Sequence, residues 1–342
     1  MAIEKKHIYW INNLRVLALF AVIILHASFE GFYSYGKFST NKWLTATAVD
    51  SLVRFCVPVF LMITGALLLP RKEKLRNFLQ KRMLRVFGPF VFWTVVFLLF
   101  TSHKEIFTGF SVSLFREIVK LILRDGVYYH FWYIYMLLGI YLFLPILSIW
   151  ILNCSNNEIL FFLLIWIVLI VSNYPHLSIL RTVFDLRYFS GYIGYPVLGY
   201  YLTTISLDNL LKVRVISVSM IIIGFLSTFL LTVNSVVHSG NIMELYFGYL
   251  TFNVLIESIG IFLFVRSTWF TRSNLIEIVA KYSFGIYFVH VLVLQFLNEY
   301  KINVFYIHPI IGITLTSVLC LIISTLSIAL INKLPYGRYY VT

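Results

Sequence analysis

The chain has 342 residues, 60% of them apolar and 12% charged, with 27 Lys and Arg against 14 Asp and Glu for a formal net charge of +13, and its mean hydropathy is +0.89. Charge at about half the ~25% of an ordinary soluble domain cannot clothe a water-facing surface, which excludes a soluble enzyme, a disordered chain and a nucleic-acid binder together. The positive surplus sorts instead by membrane side.

Crossing a ~30 Å hydrocarbon layer takes about 20 mostly apolar residues whose backbone groups bond within their own helix. Ten segments meet that pattern: 11–32, 44–69, 86–100, 131–152, 159–173, 188–204, 215–232, 245–265, 282–297 and 304–331. The expected fold is therefore all-α: one polytopic membrane-embedded domain over 1–342, with about ten transmembrane helices and no soluble domain at either end. Lys5 and Lys6 before an apolar run resemble a secretory leader, but Arg15 interrupts the run and nine spans follow, so the first segment reads as a retained helix.

That segment carries Arg15, His26 and Glu30. Eleven residues at ~100° each bring Arg15 and His26 onto one helix face about 16 Å apart, and Glu30, four residues on, falls within reach of the imidazole. A charge at membrane depth costs ~2.5–3.5 kcal/mol or more, which makes each a functional candidate. A guanidinium near the inner end can hold a phosphate or diphosphate, and a neutral imidazole near the outer end can take a proton from a hydroxyl. The separation suits an extended pantetheine arm, and the two groups are expected to flank one tunnel. The competing readings are an Arg15 that snorkels to headgroups and a His26 that bonds a neighbouring helix.

The second segment adds Asp50 and Arg54, spaced as an i,i+4 ion pair. Arg54 is a candidate for steadying an oxyanion, or else half of a purely structural pair. Pro58 is expected to bend this segment, and Gly65 to admit close helix contact. Arg82 and Arg85 share a face entering the third segment, where two guanidiniums suit a polyphosphate. In the loop 101–130, Arg116, Lys120 and Arg124 recur every four residues with apolar residues between, the pattern of an interfacial amphipathic helix.

His130 and Trp132 lie in Tyr128-Tyr129-His130-Phe131-Trp132-Tyr133, which reads first as an interfacial aromatic belt. Glu257 stands alone in the eighth segment and His290 near the middle of the ninth. His7, His103, His176, His238 and His308 form no constellation, and Cys56, Cys154 and Cys320 are too scattered for a metal site or a disulfide framework. With the N-terminus in the cytoplasm, the inner loops hold sixteen Lys and Arg and the outer loops nine, among them Arg181 and Arg187. The positive-inside rule then places both termini in the cytoplasm and the protein in a cell (inner or plasma) membrane as a multi-pass chain.

Arg15 and His26, separated by ten residues in the first helix, resemble the mark of the membrane-bound acyltransferase-3 family. The run from Arg54 through Pro58 and Phe60 to Thr64-Gly65 is similar to that family's Arg-x-x-x-Pro-x-Phe-x-x-x-Ser-Gly, with Thr64 replacing serine. Arg82 and Arg85 match its Arg-x-x-Arg pair. His130-Phe131-Trp132-Tyr133 resembles its His-Leu-Trp-Phe/Tyr segment, and Ser283 to His290 its Ser-x-Gly-Ile-Tyr-x-x-His. The resemblance implies transfer of an acyl group, most often acetyl, from cytoplasmic acyl-CoA (acetyl-CoA as the commonest donor) to a hydroxyl of an extracytoplasmic glycan or lipid-linked saccharide. It implies His26 as general base or proton relay, Arg15 as holding the donor and Arg82 and Arg85 as meeting the CoA phosphates. Together with the reading of the residues, His26, Glu30 and Arg54 are the candidate catalytic group, Arg15, Arg82 and Arg85 the donor-binding one, and His130, Trp132 and His290 the substrate-binding one. The resemblance implies no metal, no permanently bound cofactor and no nucleic-acid partner, and leaves the oligomeric state open. A carrier of a glycan or small anion is the alternative, since it also needs intramembrane Arg, His and Glu. Its inverted repeats are not visible in the sequence.

Overall fold

The computed structural model describes residues 2–108, 111–172, 174, 189–268 and 272–341, and among them every regular element is helical. In chain order these are α1 (Ala2–Phe32), α2 (Thr40–Leu52), α3 (Cys56–Leu68), α4 (Leu75–Thr108), α5 (Val112–Lys120), α6 (Trp132–Asn153), α7 (Asn156–Ser172), α8 (Gly194–Thr204), α9 (Leu210–Ser239), α10 (Phe252–Ser267), α11 (Asn274–Glu299), α12 (Pro309–Ile331) and the single turn α13 (Arg338–Val341). Asn173, His176, Arg181, Arg187 and Tyr188 lie outside the described residues, as do the side chains of Lys5, Lys6, His7, His103, Leu114 and Phe115.

The helices follow the ten expected segments, with corrections at several. Seven described spans are long and apolar enough to cross a bilayer, with α2 and α3 counted together. The third segment was expected to be short, yet α4 runs 34 residues through Pro89. The eighth becomes the 16-residue α10. The sixth is described as helix only over the 11 residues of α8, about 16 Å long and half a bilayer. Within 101–130 the chain forms α5, with Arg116 and Lys120 exposed and Ile118 and Val119 half-buried.

The second segment is broken rather than bent. Cys56 N–H reaches only to the Val53 carbonyl, and Val53 N–H to that of Asp50. Pro58 causes this, because it lacks an N–H and its ring excludes a helical carbonyl at Arg54, so the helix must restart and places Pro58 in the first turn of α3.

Apolar packing alone cannot assemble helices in lipid, and close backbone approach does much of the work. A Cβ on Gly65 would overlap the Pro196 carbonyl, and one on Gly199 the Met62 carbonyl, so α3 and α8 cross with backbones in contact. α1 is central, packed against α2, α3, α10, α11 and α12. α9 instead leaves Val215, Ile222, Leu226 and Leu230 exposed on its outer face, where lipid would cover them.

Two cavities and a histidine wall form the candidate functional site

Where α1, α3, α4, α6 and α11 meet, a cavity of about 360 Å³ is lined by Arg15, Arg71, Arg82, Arg85 and Lys281, without a carboxylate among its lining residues. Each cation arrives by a separate route. Arg15 stands on α1 as the helical arithmetic requires. Arg82 and Arg85 project from the first turns of α4. Arg71 follows α3, where Ser148 of α6 pins the chain by donating to the carbonyls of Leu69 at 2.9 Å and Arg71 at 3.1 Å. Lys281 comes from α11. Arg82 is half-buried, and its buried Nε lacks a hydrogen-bond partner. Lys81 of the same helix is withdrawn, bonding Glu73 at 2.5 Å, and this ammonium holds the Glu73 carboxyl below its usual range. Five cations around one cavity without a carboxylate give it a positive potential, the field that attracts anions.

Arg71 and Lys281 were not among the sequence candidates. Both were counted as loop charges, and the signal that could have singled them out is their position at the ends of segments carrying other candidates.

Beyond the cavity stands a wall of rings. Tyr133 and Tyr287 line the basic cavity, with ring centroids 5.3 Å apart. Tyr287 lies 5.8 Å from His290, and His290 lies 5.2 Å from His26 and 5.5 Å from His130. The Tyr287 hydroxyl donates to the His130 carbonyl, which locks α11 to the start of α6. α4 supports the wall from behind, Trp93 stacking on Phe288 at 6.0 Å and Phe97 meeting His130 at 5.1 Å. His290 is fully buried, and its Nδ1 lies 2.6 Å from the Tyr287 carbonyl. A carbonyl can only accept, so Nδ1 carries the proton and the unpartnered Nε2 is left as an acceptor.

His26 is half-buried and faces a second cavity of about 280 Å³, lined also by Glu30, Tyr129, Gln295, Asn298 and Asn303. Arg15 and His26, expected to flank one tunnel, line two different cavities, and the rings of Tyr287 and His290 stand between them. The physical reason is packing, because large rings from α6 and α11 fill the space that one helix face leaves open.

Other candidates fall differently from expectation. Glu30 is exposed and pairs with Asn298 Nδ2 at 3.5 Å, not with the imidazole. His130, read first as a belt residue, is 1% exposed. Trp132 lies outside both cavity linings, stacked on Tyr249 at 5.6 Å with Tyr192 at 6.0 Å. Arg54 is buried, bonds Asp50 at 2.6 Å and lays its guanidinium 3.8 Å over the Phe247 ring. It stands within electrostatic range of His26 without lining either cavity. Glu257 is fully buried, and neither carboxyl oxygen has a hydrogen-bond partner. No cluster of potential metal ligands occurs among the described residues.

A model of the acyltransferase-3 family, described as an acyltransferase domain, matches residues 8–331. Neither the curated proteins nor the solved structures yield a match.

Proposed function

The chain belongs to the acyltransferase-3 family, and from that premise we propose that it moves an acyl group, most often acetyl, from cytoplasmic acyl-CoA to a saccharide hydroxyl on the far side of the membrane. The observation that carries this reading is the carboxylate-free, five-cation cavity backed against a histidine cluster. Arg15, Arg71, Arg82, Arg85 and Lys281 suit the phosphates of CoA. The charge count in the loops supports a cytoplasmic position for this cavity, with His26 toward the outside of a cell membrane.

In this reading the acyl arm passes the ring wall to reach His26. The acceptor hydroxyl oxygen attacks the thioester carbonyl, forming the ester C–O bond as the C–S bond breaks. The hydroxyl proton moves to His26, which returns it to the departing thiolate. General-base catalysis of this kind contributes about 10²–10⁴-fold. His290, with its Nε2 free to accept, orients and supports the protonated form of His26. Arg54, engaged by Asp50, acts through its field rather than by contact. In size the chain resembles the O-acetyltransferase acting on enterobacterial common antigen, and a surface or lipid-linked glycan is the acceptor class inferred.

The test is incorporation of labelled acetyl from acetyl-CoA into glycan by membranes holding the full chain. His26→Ala is expected to accumulate normally and lose transfer by at least about 10²-fold. Near-normal transfer by that variant, or glycan labelling independent of the chain, overturns the reading. Stoichiometric movement of an unmodified glycan or anion without CoA consumption would establish the carrier instead.

A further inference from the structure

The His26 cavity differs in chemistry from its basic counterpart. Its lining includes Glu30 and no Lys or Arg. A directed hydrogen-bond chain leads to that carboxylate: Phe305 N–H donates to Asn303 Oδ1 at 3.0 Å, Asn303 Nδ2 to Asn298 Oδ1 at 2.6 Å, and Asn298 Nδ2 to Glu30 Oε1 at 3.5 Å. Both amides are thereby oriented, and Glu30 is presented as an acceptor at the rim.

Two polar groups deeper in the wall are unmatched. Thr316 is 3% exposed and its hydroxyl has no partner. The Gln295 Nε2 donates to the Tyr128 hydroxyl, while its buried Oε1 has no partner. Buried groups of this kind demand a complement, and a ligand bearing several hydroxyls supplies both donors and acceptors. Phe29 and Tyr129 add apolar faces for the C–H side of a ring. About 280 Å³ lies at the small end of the ~300–1,000 Å³ typical of ligand sites, which fits one ring and not an oligosaccharide.

We propose that this cavity is an acceptor subsite that takes a single uncharged or amino-bearing sugar ring and rejects acidic ones, with Glu30 setting the selection and Thr316 and Gln295 holding hydroxyls. The proposal rests on the acyltransfer reading and adds the acceptor's charge class to it. A uronate or phosphosugar placed here meets Glu30 with no countercharge among the lining residues, and like charges repel.

Membranes holding the full chain, from a host whose envelope carries both neutral and acidic glycans, are given labelled acetyl-CoA, with the His26→Ala chain as background. The His26-dependent product is cut to monosaccharides and separated by charge. At least about tenfold more label is expected on neutral or amino sugars than on acidic ones, and Glu30→Gln is expected to narrow that ratio threefold or more. Label chiefly on acidic sugars, or a ratio unmoved by Glu30→Gln, overturns the proposal while leaving acyltransfer intact. Thr316→Val guards against a Glu30 variant that fails to fold. It is expected to raise the acceptor KM severalfold at constant acetyl-CoA KM, and an unchanged acceptor KM overturns the role of Thr316. Absence of His26-dependent label from every saccharide overturns the acyltransfer reading itself.

Discussion

Arg82 shows what a single residue can report. Its guanidinium reaches the basic cavity from a half-buried position, with Nε left without a partner, so under the proposed function removing it strips a charge-assisted contact from the donor and leaves the histidines untouched. Arg82→Gln is expected to raise the acyl-CoA KM by about ten- to a hundredfold, the equivalent of one hydrogen bond to a charged group, with kcat little changed in steady-state assays. The Asp50–Arg54 pair behaves in the opposite way. Asp50→Asn leaves a buried guanidinium uncompensated and is expected to cost about 3–5 kcal/mol of stability, read as a lower thermal midpoint in detergent before any effect on CoA binding. The sequence showed the Asp50–Arg54 spacing because it is local. It could not show Phe247 lying over the same guanidinium, since that ring arrives from a distant segment. His130 was illegible for a related reason: a run of Tyr, His, Phe and Trp has the same composition in a membrane belt as in a buried wall.

Helices were legible wherever periodicity and length agreed, as in α1, whose 3.6-residue repeat predicted the shared face of Arg15 and His26. They were less legible where a neighbouring element decides the outcome. α8 is too short to span and is held at its middle and at its C-terminal end. At the middle Gly199 meets α3 backbone to backbone. At the C-terminal end, Arg266 donates to the carbonyls of Leu202 at 2.5 Å and of Thr203 and Ile205 at 2.9 Å, a cation capping the negative end of a helix. Arg214 does the same at the end of α10 through the Ser267 carbonyl at 2.7 Å. Two residues that a loop count reads as topological signals therefore also hold helices together. Gly199→Ala is expected to force α3 and α8 apart and cost at least about 1–3 kcal/mol, visible as lost accumulation or a lower thermal midpoint. Gly240, open in space but at a positive φ of 67°, is the contrasting case, where strain and not collision would follow substitution.

At the scale of the whole molecule, the consequence of the fold is a separation of opposites. One cavity is lined by five cations and no carboxylate, the other by one carboxylate and no cation, and packed rings, tilted against one another, stand between them. Each sequence motif carried part of this division, but the wall exists only once α4, α6 and α11 are packed, so the residue spacing on α1 suggested an open tunnel. A wall of rings fitted around a threading acyl arm has a chemical use, because an activated thioester exposed to water hydrolyses, and excluding water suppresses that side reaction. Tyr287 is its keystone, touching the basic cavity, the His130 carbonyl and the His290 ring together. Tyr287→Ala removes the ring and the hydroxyl and joins the two spaces. If the wall guards the thioester, the variant releases free CoA in the absence of any acceptor at about tenfold the wild-type rate or more, while still binding CoA. Tyr287→Phe keeps the ring, loses only the hydrogen bond to α6, and is expected to stay close to wild type in that assay. Equal hydrolysis by Tyr287→Ala and the wild type would show that the rings pack the core without gating passage between the cavities.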